Sequence, residues 1–195
     1  DPMKHLRQYI RQVLLTEAMK TPADLPDDVV IVIDPLPDVV VVSYAMANDP
    51  SDTFSEPSGS ITIYPTESNR EGECGNAWVV GGSDADDGWG PLLYDVAIEW
   101  ATQNGGGLIS DRGSVSDDAQ GVWNYYMRNR SDVTAHQLDD LNNSLTPEEE
   151  DNCDQDIGRG TVTGMYDTWV DSALSKRYTK PPTTMNALGK KLVIL

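Results

Sequence analysis

Apolar residues recur at helical spacing near the start of the chain, where Leu6, Ile10, Val13 and Leu14 mark one face of residues 4–19 while Arg7, Arg11 and Gln12 fall on others. The pattern predicts an amphipathic helix. Thr21-Pro22 and Leu25-Pro26 stop it, because a residue before proline is driven to extended geometry. Two β-branched runs, residues 29–33 and 39–44, predict a hairpin closed by Asp34-Pro35-Leu36-Pro37. Residues 48–59, rich in Pro, Ser and Asp, predict a loop, residues 60–64 alternate like a third strand, and residues 65–75 predict another loop.

The central segment is the most ordered in pattern. Residues 76–82 predict an apolar strand and residues 83–90 a loop, after which Pro91 opens a helix through Gln103 with Leu92, Leu93, Val96, Ala97, Trp100 and Ala101 as its apolar stripe. Gly105-Gly106-Gly107 supplies the stop, and residues 108–110 predict a short strand. Ser116 followed by Asp117 and Asp118 predicts the N-cap of a second helix through Met127, since a hydroxyl oxygen and early carboxylates answer the exposed N–H groups and the dipole. Residues 131–160 carry little apolar periodicity and predict surface loop with one short helix begun by Thr146-Pro147-Glu148. Met165, Trp169 and Leu174 suggest a short packed element, Lys180-Pro181-Pro182 a linker, and residues 192–195 a closing strand.

A length of 195 residues suits one core, so the expected organisation is an N-terminal helix and linker over residues 1–24 and a single domain over residues 25–195. Met3 is expected to be the natural start. The 32 acidic and 14 basic residues give a formal charge of -18, a field that repels nucleic acid and anionic membrane. The exception is the first twenty residues, where Lys4, Arg7, Arg11 and Lys20 meet only Asp1 and Glu17. The acidic body reads as a solubility surface or salt adaptation, with mimicry of nucleic acid toward a DNA-binding protein as the sharper alternative. No apolar run approaches the roughly 20 residues of a membrane span. Cys74 and Cys153 lack CxxC spacing and are expected to stay reduced, in keeping with a cell-interior protein.

The stretch GWGPLLYDVAIEWATQNGGGLISDRGSVSDDAQGVWNYYM, residues 88–127, resembles motifs A and B of the GNAT superfamily of N-acetyltransferases: a G-x-G turn, a helix with paired leucines, a glycine stop, a short strand, and a helix with an alanine and an aromatic four residues later. The resemblance covers about a quarter of the chain. It implies an α/β (α+β) fold with a mixed, mainly antiparallel sheet flanked by helices, here with long acidic loops. It also implies an acyl-CoA-dependent N-acyltransferase with acetyl-CoA as cofactor. Gly88, Trp89 and Gly90 would hold the pyrophosphate through amides at a helix N-terminus, with Ser116 among the cofactor contacts, and Val79, Val80 and Gly81 would meet the pantetheine arm. Tyr125 or Tyr126 would be the general acid. No metal site is implied.

The sequence departs from the family pattern at several places. Ala85 stands where the family has Gln or Arg, Asp84, Asp86 and Asp87 crowd the same loop, Pro91 lacks an N–H, and Trp123 takes the family's tyrosine position. The alternative is therefore a non-catalytic GNAT-like virion or host-interaction protein that has lost acetyl-CoA binding. A divalent cation in the acidic loop does not fit calcium-loop spacing, and a Cys74 nucleophile with His136 is a further, weaker enzyme reading.

The arm KHLRQYIRQVLLTEAMK, residues 4–20, is similar to capsid-targeting sequences of internal head proteins of large myoviruses, which are cleaved after Leu-x-Glu; Leu15-Thr16-Glu17 matches that rule. This implies a tailed-phage origin, a capsid or scaffold protein as partner through the N-terminal helix, and location in the bacterial host cytoplasm or the virion interior.

Overall fold

The computed structural model describes residues 19–161 and 168–195. The predicted N-terminal helix and Met165 lie outside the described residues. The chain forms an eight-stranded, mostly antiparallel sheet with helices α1 (Gly90–Gln103), α2 (Asp117–Asn129), α3 (Asp156–Gly160) and α4 (Thr183–Leu188).

Strands β1 (Val29–Leu36), β2 (Val39–Met46), β3 (Gly59–Pro65) and β4 (Trp78–Ala85) run as an antiparallel meander. The hairpin between β1 and β2 is tighter than expected: Asp34, Pro35 and Leu36 stay in the ladder opposite Val41, Val40 and Val39. Pro35 is tolerated because β10 (Leu192–Ile194), the parallel neighbour on the other side of β1, pairs only with Ile31 to Ile33. After β4 the chain crosses through α1 to the parallel strand β5 (Leu108–Ile109), and α2 leads to β6 (Thr134–Gln137). Strand β9 (Lys176–Thr179) inserts between β5 and β6, giving the order β10-β1-β2-β3-β4-β5-β9-β6.

One face of the sheet buries Ile31, Ile33, Val42, Tyr44, Ile61 and Ile63 against α1, whose residues Leu92 to Ala101 are all buried. A helix buried on every side reads as an apolar run, yet α1 carries Asp95 and Glu99 one turn apart. Glu99 pairs with Lys180, both fully enclosed. Its oxygens also accept the backbone N–H groups of Thr184 and Met185 at 2.7 Å each, so it caps the start of α4. The Lys180 ammonium donates to Thr183 Oγ1 at 2.6 Å and Thr184 Oγ1 at 3.1 Å. The expected linker around Lys180 is instead an anchor, because proline geometry delivers a lysine into the core where a carboxylate waits.

Residues 131–160 hold more structure than their polarity predicts. Beyond β6 they form a two-stranded parallel sheet of β7 (Asp139–Asp140) and β8 (Asn152–Cys153), followed by α3. Residues 145–147 form bends, and no helix starts at Thr146-Pro147-Glu148 as expected. Side chains replace periodicity as the organising force: both Asp139 oxygens accept from Leu145 N at 2.8 Å, and one accepts from Thr146 N at 2.8 Å. The fully buried Arg112 donates to the carbonyls of Ser110, Asp154 and Leu174. Cys74 and Cys153 are joined in a disulfide across 79 residues, correcting the expectation of free thiols. Their sulfurs pack with Ala77, Val79, Ile109 and Leu138 in a second core on the opposite face.

Two outcomes follow from these anchors. Glu99→Ala leaves the Lys180 charge buried and two helix-end donors unanswered, and is expected to cost about 3–5 kcal/mol in urea unfolding, with Glu99→Leu/Lys180→Met recovering part of the loss. Alkylation of the unreduced, unfolded chain is expected to add no mass, and reduction to lower stability by about 2–5 kcal/mol, as closure of a long loop predicts.

Candidate functional site

The candidate site is built from the end of β4, the turn that follows, and the first turn of α1. Strand β4 carries a bulge: Ile63 faces Val80 and Thr62 faces Gly82, leaving Gly81 as the extra residue. A β-carbon at Gly81 would lie 2.2 Å from the Tyr64 ring, so any side chain there would have to displace that exposed ring. On its other side β4 pairs with β5 only through Trp78 and Val79. From Val80 to Ala85, β4 runs on without β5 beside it. The two parallel strands thus stay together for only two residue pairs, a fork left by the early end of β5; Val79, the first residue expected at the pantetheine arm, is held between Tyr64 and Ile109.

The turn after β4 is tied down by its own chain. Gly88 takes a positive φ of 81°, which glycine adopts without strain. Asp86 donates its N–H to Ser58 O at 3.0 Å and accepts Ser58 N–H on its carboxylate at 2.8 Å, while Trp89 N–H closes onto Asp86 O at 3.0 Å. The buried Tyr44 hydroxyl donates to Trp89 O at 2.7 Å, and its ring meets the indole edge-on at 5.6 Å. Gly88 O accepts Lys20 N–H at 3.1 Å, and the Lys20 ammonium lies 5.8 Å from the Trp89 ring centroid. Trp89 is the N-cap of α1 but contributes no side-chain cap, and Pro91 has no N–H to offer.

A polyanion meets a poor fit here. Asp86 and Asp87 bring two carboxylates to the turn entering a helix terminus worth roughly half a positive charge, while Asp84, between Ser83 and Ala85 of β4, falls on the strand face away from α1. One amide beside Gly88, that of Trp89, is already spent on Asp86 O. Acetyl-CoA, the cofactor the resemblance implies, is therefore not matched by the donor set at Gly88, Trp89 and Gly90. Ser116, expected among the cofactor contacts, accepts Ala119 N–H at 3.2 Å and acts as the cap of α2.

The fork between β4 and β5 is bridged by aromatic side chains on the helix face. Ser83 Oγ and Tyr94 OH are 2.9 Å apart, Tyr94 stacks edge-on against Trp123 at 5.6 Å, and Trp123 lies 5.0 Å from Tyr178 of β9. Trp123, Tyr126 and Tyr178 are fully buried. Both tyrosines expected as general acids sit on α2, but their situations differ. The Tyr126 hydroxyl donates to Asp95 Oδ1 at 2.6 Å and to Pro91 O at 3.2 Å. Burial and then the Asp95 charge hold its phenol well above its ordinary value, which makes it a structural donor. Tyr125 is half-exposed and meets the Tyr126 ring at 6.3 Å.

Sequence reading overlooked the groups that dominate this region. Asp95 receives Arg130 on both oxygens at 3.1 and 3.2 Å as well as Tyr126, and burial still pushes its carboxyl upward against those partners. Arg130 also grips Asp132 at 2.8 Å, and Asp132 stands 3.4 Å from Lys180. The only sequence signal was a pair of acids, Asp95 and Glu99, interrupting an apolar stripe at a spacing of four. Of the other chemistry considered, Cys74 is no nucleophile because its sulfur is bonded to Cys153. His136 shares a hydrogen bond with Thr179 Oγ1 at 2.8 Å. Among the described residues no group of three or more His, Cys, Asp or Glu is placed to hold a metal ion, and no helix is long and apolar enough to cross a membrane.

No family model matches the chain, and neither a curated protein nor a solved structure matches it significantly.

The network titrates at its rim. The hydrogen bond from Arg130 holds Asp132 down to about 2, below its ordinary 3.8. A depressed carboxyl stabilises the fold above its unfolded value and ceases to do so as pH falls through the folded one. The stability difference between wild type and Asp132→Asn is expected to be largest above pH 4 and to shrink as pH approaches about 2, read from urea midpoints across that range.

Proposed function

We propose that the chain has a GNAT-like fold that serves as a non-catalytic, protein-binding scaffold. The fold part rests on the order in which strands pair: an antiparallel meander into a bulged β4, a helical crossover to a parallel β5 that leaves β4 after two residue pairs, and a late strand inserted beside β5. The observation that carries the loss of catalysis is the state of the turn and fork. Asp86 and Asp87 flank the turn where a pyrophosphate would sit, Trp89 N–H is already bonded to Asp86 O, and Tyr94, Trp123 and Tyr178 bridge the space that parted strands would open. A phage virion or host-interaction role accords with the basic arm and the strongly acidic body, with a capsid or scaffold protein as the partner. The Cys74–Cys153 bond suits a particle that leaves the reducing cytoplasm better than a protein that stays there.

An acyl-CoA-dependent N-acyltransferase is the second reading. It is favoured by the unpaired run of β4 from Val80 to Ala85, which offers backbone groups on the side facing β5. In that reading Gly88 to Gly90 would hold acetyl-CoA, and Tyr125 is the expected hydroxyl on α2 not locked to Asp95.

Ligand linkage separates the two. A ligand present at a hundred times its Kd stabilises the fold by about 2.7 kcal/mol. Acetyl-CoA at about 1 mM is expected to leave the melting temperature unchanged, and a rise of several degrees would overturn the scaffold reading in favour of the enzyme.

A further inference from the structure

Strand β4 continues from Val80 to Ala85 with β5 no longer beside it, and its ladder with β3 fixes which backbone groups that leaves over. Asp86 N–H bonds Ser58 O at 3.0 Å, and the register runs on from that pair through Gly59–Ala85, Ser60–Asp84 and Ile61–Ser83. Antiparallel pairs alternate between bonded and non-bonded, so Asp84 faces Ser60 while Ser83 and Ala85 turn their N–H and C=O groups away from β3, to the side that β5 has left. Among the described residues no backbone group bonds them from that side. The strand is also accessible there. Gly81, Gly82, Ser83 and Asp84 are all exposed, and a β-carbon added at Gly82 would meet nothing within 4 Å.

An unpaired strand edge is a template for an extended peptide, because main-chain bonds supply affinity and alternate side chains supply selectivity. The two faces of β4 differ in what they would select. On the helix side Ser83 Oγ lies 2.9 Å from Tyr94 OH, and the Tyr94 ring stacks edge-on against Trp123, which offers an aromatic floor to every second residue of an added strand. On the other side Asp84 stands exposed, in a chain of formal charge -18. A second copy pairing edge to edge would bring Asp84 toward its counterpart, and like charges across a ladder are destabilising.

We propose that the Ser83–Ala85 edge of β4 receives an extended segment of a partner protein as an added strand, with apolar side chains toward α1 alternating with lysine or arginine toward Asp84. This deepens the scaffold reading, on which it rests, by giving the partner's chemistry. The stretch from Val80 to Ala85 spans roughly 20 Å at about 3.4 Å per residue, room for a short strand.

Fluorescence anisotropy with a labelled peptide of about eight residues, alternating valine and lysine, tests the added strand. A strand bonds any one neighbour through every second residue, so methylating the valine amides and methylating the lysine amides silence opposite edges of the peptide. One methylated form is expected to lose about ten-fold or more in affinity while the other stays within about three-fold of the parent. Ala85→Pro removes an outward N–H that the β3 ladder does not use, and is expected to weaken the parent peptide by about ten-fold with the urea midpoint held. Asp84→Lys, a change at an exposed side chain, is expected to weaken it likewise and keeps the test open should the proline variant fail to fold. No saturable binding, equal loss from both methylated forms, or equal retention by both would overturn the proposal. Displacement of the peptide by acetyl-CoA would overturn the scaffold reading as well, whereas a peptide that fails to bind while acetyl-CoA leaves the melting temperature unchanged sinks the added strand alone.

Discussion

Two carboxylates on a helix with no solvent face set the terms for the rest of this fold. A buried carboxylate without partners would not stay ionised, so Asp95 and Glu99 oblige other elements to bring them donors. Arg130 and Tyr126 arrive from α2, Lys180 arrives from the end of β9, and the first amides of α4 close the shell. Asp132 then links the two halves, touching Arg130 on one side and Lys180 on the other. Apolar contact could be satisfied by several angles of α2 against α1, whereas a bidentate guanidinium accepts few. The network is thus better understood as a device for orientation than as a source of net stability.

That orientation has a consequence for the site. Holding α2 by Tyr126 and Arg130 places Trp123 toward Tyr94 and Tyr178, across the region where β4 and β5 part. The same helix therefore cannot both carry Trp123 in this packing and leave the fork open on the helix face. The bulge at Gly81 and the early end of β5 interrupt the sheet there, and aromatic side chains pack over the interruption.

Elements whose periodicity matched their burial were legible in the sequence. The β1–β2 ladder, α1 with its proline start, and α2 with its Ser116 cap all fell within a few residues of their observed limits, because local chemistry and tertiary packing agree there. Residues 131–160 were opaque for the opposite reason. Their order comes from contacts distant in sequence: Arg112 binding carbonyls of Asp154 and Leu174, Cys74 joined to Cys153, and β6 pairing with β9. Lys180 was misread because a Lys-Pro-Pro triplet has the local signature of a linker, and nothing local reports a glutamate eighty-one residues away. In the candidate site the glycine turn could be foreseen, but the commitment of Tyr126 to Asp95 could not.

The acidic turn poses the sharper electrostatic question. Carboxylates near a helix N-terminus are usually favourable, yet the benefit is limited to about half a charge and is screened within a Debye length. Of the three aspartates here, Asp84 falls on the β4 face away from α1, Asp86 is absorbed by Ser58, and Asp87 stands exposed. Positive charge is scarce nearby, because several cations, including Arg112, Arg130 and Lys180, are buried or committed to the core. Lys20 stands at the turn, its ammonium 5.8 Å from the Trp89 ring centroid. With Trp89 N–H closed onto Asp86 O and Pro91 lacking a donor, few amides at the start of α1 remain for an anion among these carboxylates, which is why the turn is better read as a closed corner of the fold than as a cradle for an anion.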